Sequence, residues 1–314
     1  MPNLNSLQGV LGVQNTGYGA SVLNINTVRG AFMVPPTYSI ADASLPTLLT
    51  QLKADAQTDD PTVRIYPIHN LVAVKLTSEE LIVEKLGYGA GIPVREGFED
   101  WSHRFTKGGF SLLQALRSMN GLQYNPIFYD SQGVVFGWNN GGVMAGFPNQ
   151  FFWASSIPVS DGSKYAEYMI RNNFDTRYLQ DFCAFYQVPK GTDLSQAVGF
   201  QTINLTAVSG PTAGVVVISL ATAIGNINPY TQFKTALQTN SSWAFKNGTT
   251  GAAIVPTSVV GNDVTKQFTV TLPTTAPPYP TTGNTFTGAL ALPSVLKTNN
   301  MPGYESGPAL TFTV

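Results

Sequence analysis

The sequence predicts a mainly β protein in two parts. Residues 1–200 read as a β-sandwich or barrel carrying one to three short helices, and residues 201–314 as an immunoglobulin-like β-sandwich. Three observations carry this reading. Short runs of β-branched and aromatic residues recur along the chain, separated by glycine, asparagine and proline turns. Few stretches space their apolar residues as an amphipathic helix does. Charge also thins out near residue 200, beyond which the charged residues are Lys234, Lys246, Lys266, Lys297, Asp263 and Glu305. A length of 314 residues is itself long for one hydrophobic core.

In order along the first part, β-prone runs at 10–13, 21–25 and 31–34 alternate with glycine turns, and the last is stopped by Pro35 and Pro36. Leu45, Leu48, Leu49 and Leu52 then sit at helical spacing, with Ser44 as cap and Pro46 in the first turn. This predicts a helix over 45–57 that ends before Pro61. Residues 63–76 read as a strand pair broken at Pro67 and Asn70. The following ELIVEKL fits helix or strand equally. The apolar spacing of Phe110, Leu112, Leu113, Leu116 and Met119 predicts a second helix, closed after Asn120 by Gly121.

Residues 126–153, PIFYDSQGVVFGWNNGGVMAGFPNQFFW, predict an antiparallel meander of three short strands reversing at 130–133 and 139–142. Its expected buried face holds Phe128, Val134, Phe136, Trp138, Val143, Phe147, Phe151 and Trp153. Tyr129, Gln132 and Asn139 are expected to meet water or a neighbouring subunit. A strand over 164–171 follows. Tyr178, Leu179, Phe182, Phe185 and Tyr186 then suit one helical face or a last strand.

Past residue 200, runs at 202–208, 214–220, 243–245, 252–260, 267–272, 286–292 and 310–314 give the strand spacing of a small sandwich, here without a cysteine pair. Residues 230–237 read as a short linking helix. The period of two turns Trp243, Val216, Ile218, Val259, Phe268 and Val270 inward. The proline-rich loop 273–283 is expected to project into solvent or a partner.

Composition narrows the function. Hydrophobic residues make up 43% of the chain and charged residues 11%, less than half the roughly 25% usual for soluble domains. So little charge suits a surface covered by other copies of the chain, because interface centres are charge-depleted. The net charge is −1 and no Lys/Arg run occurs, which argues against binding nucleic acid. With two histidines, His69 and His103, and the single cysteine Cys183, no zinc-type ligand set can be assembled. Gly87-Tyr-Gly-Ala-Gly91 lacks the third glycine and the helix of a phosphate loop. The turns at Asp130 and Asp161 lack the ligand alternation of a calcium loop. The carboxylates of residues 55–60, 79–84 and 96–100 stand beside Lys and Arg and read as solvated or ion-paired faces. The expectation is therefore no catalytic residues, no cofactor site, no metal site and no enzyme. The absence of a signal-like N-terminus and of a membrane-length apolar run leads to the expectation of cytoplasmic synthesis and no membrane span.

The combination of IYPIHNLVAVKLTSEELIVEKLGYG, PIFYDSQGVVFGWNNGGVMAGF and the charge-poor part ending GYESGPALTFTV resembles virion structural proteins of tailed bacteriophages. In particular it resembles tail-tube-like proteins carrying a C-terminal immunoglobulin-like domain. The resemblance implies a subunit that self-assembles into rings through intersubunit sheet pairing, works in the virion, and displays its second domain outward. A capsid protein with two β-barrels (double jelly roll) and an extracellular carbohydrate-binding module fit the same length and composition.

Overall fold

In the computed structural model, residues 5–6, 26–60, 62–78, 82–85, 91–95, 98–105, 109–155, 168–175, 177–178, 183–275 and 278–314 are described, with side chains omitted for 5–6, 73–97 and 109–111. The protein is mainly β, with several antiparallel sheets and few helices. It forms two compact units that part between Gly199 and Phe200, with Gln57–Asp59 grouped with the second.

The first unit is a sandwich with an added layer. Its larger sheet, A, contains β1 (Asn5–Ser6), β2 (Val28–Val34), β3 (Ser39–Ile40), β4 (Tyr66–His69), β9 (Asn125–Asp130), β10 (Val134–Asn140), β11 (Val143–Ala145) and β14 (Cys183–Gln187). The order is β1-β14-β10-β9-β2-β4, with β11 beside β10 and β3 beside β11. The smaller sheet, B, runs β12 (Asn149–Ala154), β13 (Tyr168–Asp175), β8 (Phe98–Phe105), β5 (Leu71–Ser78). Between β5 and β8, strands β6 (Ile82–Lys85) and β7 (Gly91–Arg95) pair only with each other among the described residues.

Sheet A is buried on both faces. One face, with Phe128, Phe136, Met33 and Ile68, packs against Trp101, Phe105, Ile170 and Phe174 of sheet B and against Leu113 and Leu116 of helix α2 (Gly109–Arg117). The other face, with Phe32, Ile127, Tyr129 and Val135, is covered by Leu48, Leu52 and Ala56 of helix α1 (Leu48–Ala56) and by Leu194 and Ala197. Every residue of β9 is consequently buried, as in strands covered on both sides. This overturns the expectation that Tyr129 meets water, because the outward face of a two-layer sandwich is here an interior.

The meander has four strands rather than three, and they divide between the sheets. After the β10–β11 hairpin, whose Gly141 and Gly142 adopt positive φ, the chain leaves sheet A and enters sheet B as β12. An irregularity between Asn149 and Phe151 shifts the pairing with β13, so Phe152 and Ala154 face inward. Phe151 and Trp153, expected inside, are 43% and 52% exposed. A bulge of this kind exchanges the faces of all residues after it. Trp138 and Val143 are half-buried.

The first helix opens as a 3-10 segment, Asp42–Thr47, with Ala41 at the N-cap position making no side-chain cap and with Ser44 and Pro46 inside it. Pro67 lies within β4, an edge strand where a missing N–H costs no ladder bond; the break is at Asn70 alone, with φ 61°. ELIVEKL contains strand β6, and Phe185 and Tyr186 lie in strand β14. The runs at 10–13 and 21–25, residues 86–90 with Tyr88, and 156–167 lie outside the described residues.

The second unit is a two-sheet sandwich. One sheet runs β19 (Ser258–Asn262), β20 (Gln267–Thr271), β16 (Val215–Thr222), β15 (Gln201–Thr212), β22 (Tyr304–Ser306). The other runs β18 (Ala253–Ile254), β17 (Trp243–Asn247), β21 (Thr285–Leu290), β23 (Leu310–Thr313). Helices α3 (Tyr230–Leu237) and α4 (Pro293–Thr298) complete it. The six residues read as inward, Trp243, Val216, Ile218, Val259, Phe268 and Val270, are all buried in one core. Trp243 donates its indole N–H to the Leu237 carbonyl at 2.7 Å, satisfying the one polar atom it brings inside. The run 252–260 splits at Pro256 into two strands belonging to different sheets. The 273–283 loop turns inward where it was expected to project: Tyr279 is buried against Phe286, and the Pro278 carbonyl accepts from Asn247.

Candidate functional site

The most developed polar constellation among the described residues begins with a lateral row across sheet A. His69 of β4 and Tyr129 of β9 both stand in register with Gly30 of β2. Strands two apart lie about 10 Å from each other, a gap that a tyrosine and a histidine can close only over a bare central strand. Gly30 provides it, since a Cβ there would fall 2.3 Å from the Tyr129 ring. The two side chains meet, with the Tyr129 hydroxyl 2.7 Å from His69 Nδ1, while His69 Nε2 lies 2.7 Å from the Ala197 carbonyl. A carbonyl only accepts, so Nε2 carries the proton; Nδ1 then accepts from the Tyr129 hydroxyl. Burial lowers the His69 pKa and raises that of Tyr129, so both are held neutral.

This row anchors the segment Leu194–Gln196, whose N-cap Asp193 accepts from the Ser195 N–H and hydroxyl at 3.0 and 2.7 Å. Those bonds depress the Asp193 pKa. The anchored segment is one wall of an open cleft of about 410 Å³. The other walls are Arg29 at the start of β2, Asn70 and Val72 at the β4–β5 corner, and Ser131 in the β9–β10 turn. Four separated stretches of chain thus converge on one end of the first unit. Asp130 shapes the turn, accepting from the Asn26, Gln132 and Val134 amides at 2.8 Å each.

The remaining candidates are placed apart. His103 is fully buried between Trp101 and Phe128, and neither ring nitrogen has a hydrogen-bond partner among the described residues. Burial alone lowers its pKa to about 4. Cys183 is a buried free thiol with its pKa pushed up to about 12 by desolvation. Among the described residues no three His, Cys, Asp or Glu side chains come together as metal ligands. Asp55 accepts from the Tyr38 hydroxyl at 2.6 Å, and Asp100 pairs with Arg171. The side chains of Glu79, Glu80, Glu84 and Glu96 lie outside the described residues.

No protein family, curated protein or solved structure matches the chain. Besides the cleft, the feature that stands out is β12, which among the described residues pairs only with β13 at the edge of sheet B and presents Phe151 and Trp153 on the exposed side of the sheet. On the same side, β13 places Arg171 opposite Trp153 and Asn173 opposite Phe151. Sequence reasoning named both aromatics but assigned them to the core, since the irregularity that turns them outward has no residue signature in FPNQFFW. It missed the His69–Gly30–Tyr129 row because register between strands nearly a hundred residues apart cannot be read from either strand alone. No helix of the described residues is long and apolar enough to cross a membrane.

Proposed function

We propose that this protein is a non-enzymatic structural subunit that assembles with copies of itself in a virion, as a tail-tube-type protein whose second domain is a surface β-sandwich. The observation that carries the reading is the pair of aromatic side chains on β12, an edge strand among the described residues. An edge strand offers unpaired backbone groups, and solitary proteins usually guard such edges with charge, proline or a covering loop. Here β12 instead presents Phe151 and Trp153, the residue types enriched in interface centres. The low charge of the whole chain supports the same reading, as does the β6–β7 hairpin. Among the described residues its two strands pair only with each other, and two strands alone are marginally stable in water and gain from a further strand or surface.

Light scattering and negative-stain microscopy of purified protein test the proposal. Rings or tubes are expected from the native chain, and Phe151→Ser with Trp153→Ser is expected to shift it to smaller species without changing its circular dichroism. A single species of 33.6 kDa at all concentrations of the native protein would refute self-assembly, and closed shells would point to a capsid in place of a tail tube.

A further inference from the structure

We infer that the cleft built on the His69–Gly30–Tyr129 row is a binding site for a neutral, hydroxyl-rich ligand: a saccharide of one or two rings. The volume, about 410 Å³, lies within the range of small-molecule sites. Its location, where loops converge at the end of a sandwich, is where β folds carry recognition.

The character of the ligand follows from which polar groups are already engaged. Asp130 is spent on three backbone amides. Asp193 gives one oxygen to Ser195, leaving Oδ2 free to accept. The side chains of Arg29, Asn70, Ser131 and Thr192 line the cleft and form no hydrogen bond or ion pair among the described residues. Among the described residues the lining thus holds one guanidinium without a partner and one carboxylate with a free oxygen, together with uncharged donors and acceptors. An anion would gain Arg29 but meet two carboxylates. A bare cation lacks a ligand set, since no three metal-binding side chains gather among the described residues. A polyol donates to Asp193, accepts from Arg29 and does both with the amide and hydroxyls, satisfying every group without transferring a charge from water. Val72, 46% exposed, supplies an apolar patch for the C–H face of a sugar ring.

The wall is also pre-ordered. The hydrogen bond from His69 to the Ala197 carbonyl and the Asp193 cap fix the 193–197 segment before any ligand arrives, so binding does not bear the entropy of ordering it. The buried row thus acts through positioning, and Arg29 and Asp193 make the contacts.

Saturation-transfer NMR on the full chain with glucose, galactose, N-acetylglucosamine and lactose, each at 20 mM, tests this. Inorganic phosphate and glycine serve as the anionic and zwitterionic probes. At least one saccharide is expected to show transfer. Arg29→Ala and Asp193→Asn, both at exposed or half-exposed positions and expected to melt like the native protein, should each weaken its affinity at least tenfold, and Tyr230→Phe in the second unit should leave it unchanged. Absence of transfer to all four saccharides, equal transfer in the Arg29→Ala protein, or tighter binding of phosphate or glycine would each overturn the inference. None of these outcomes depends on whether the protein assembles.

Discussion

Lowering the pH from 7 to 4.5 should destabilise the first unit chiefly through His103. This imidazole is fully buried, packs 5.1 Å from the Phe128 ring and 6.1 Å from that of Trp101, and has no hydrogen-bond partner for either nitrogen among the described residues. Its pKa falls from the ordinary 6.5 to about 4 because burial penalises the cation. The unfolded chain therefore takes up a proton below pH 6.5 that the native protein refuses until about pH 4. Stability present above 6.5 is lost as the pH falls through that interval and levels off below it. The gap corresponds to about 3 kcal/mol, of which more than two thirds is spent by pH 4.5. Aspartates with depressed pKa, such as Asp175 and Asp193, lose their contribution only below the ordinary 3.8, outside this window. His69 is the other group that titrates in the same sense, but its partner Tyr129 can turn its hydroxyl to accept from a protonated Nδ1, which softens the effect.

Urea unfolding of the native protein and His103→Leu at pH 7 and pH 4.5, followed by tryptophan fluorescence, isolates the residue. The native protein should lose about 2–3 kcal/mol more than the variant over this range. At pH 7 the variant should be as stable or about 1 kcal/mol more stable, since it removes a buried polar ring without a hydrogen-bond partner among the described residues. Equal acid sensitivity of the two proteins, or a His103 resonance titrating near 6.5 in the folded state, would refute the reasoning.

Two further outcomes follow from the core. Gly30→Val should cost about 2–4 kcal/mol by chemical denaturation, because its side chain overpacks against Tyr129 and breaks the bond to His69; in a Tyr129→Ala background the cost should shrink well below additivity. With its thiol pushed up to about 12 by burial, Cys183 should react negligibly with an aromatic disulfide reagent at pH 8 in the native protein and stoichiometrically in urea, and prompt reaction of the folded protein would show that the β14 core is open.

How much of this was legible in the sequence depended on range. The second unit declared itself through local signals: period-two strands, turn residues and a core tryptophan placed Trp243, Phe268 and Val270 inside correctly. In the first unit the same reasoning found Phe128 and Phe136 but put Tyr129 outside, since nothing local says that α1 covers the far face of sheet A. Phe151 and Trp153 were misplaced by a one-residue slip, which reverses every later side chain while leaving the composition of the strand unchanged. The cleft was illegible for a third reason. It is made of Arg29, Asn70, Ser131 and Asp193, ordinary surface residues far apart along the chain, and only tertiary register brings them to one end.

The division of residues 252–260 between the two sheets of the second unit has a mechanical consequence. Ile254 ends a strand in one sheet and Ser258 begins a strand in the other. The four steps between their Cα atoms reach at most about 14 Å, whereas packed sheets lie about 10 Å apart. The link therefore has only a few ångströms of slack. Under a shearing load, one sheet can slide past the other by only about 10 Å, roughly three strand residues, before this tether tightens and passes tension through the backbone. A domain built this way would resist force along its sheets by a covalent stitch, where a disulfide is absent, and would yield first by peeling β23 or β22 from the edges that the stitch does not span.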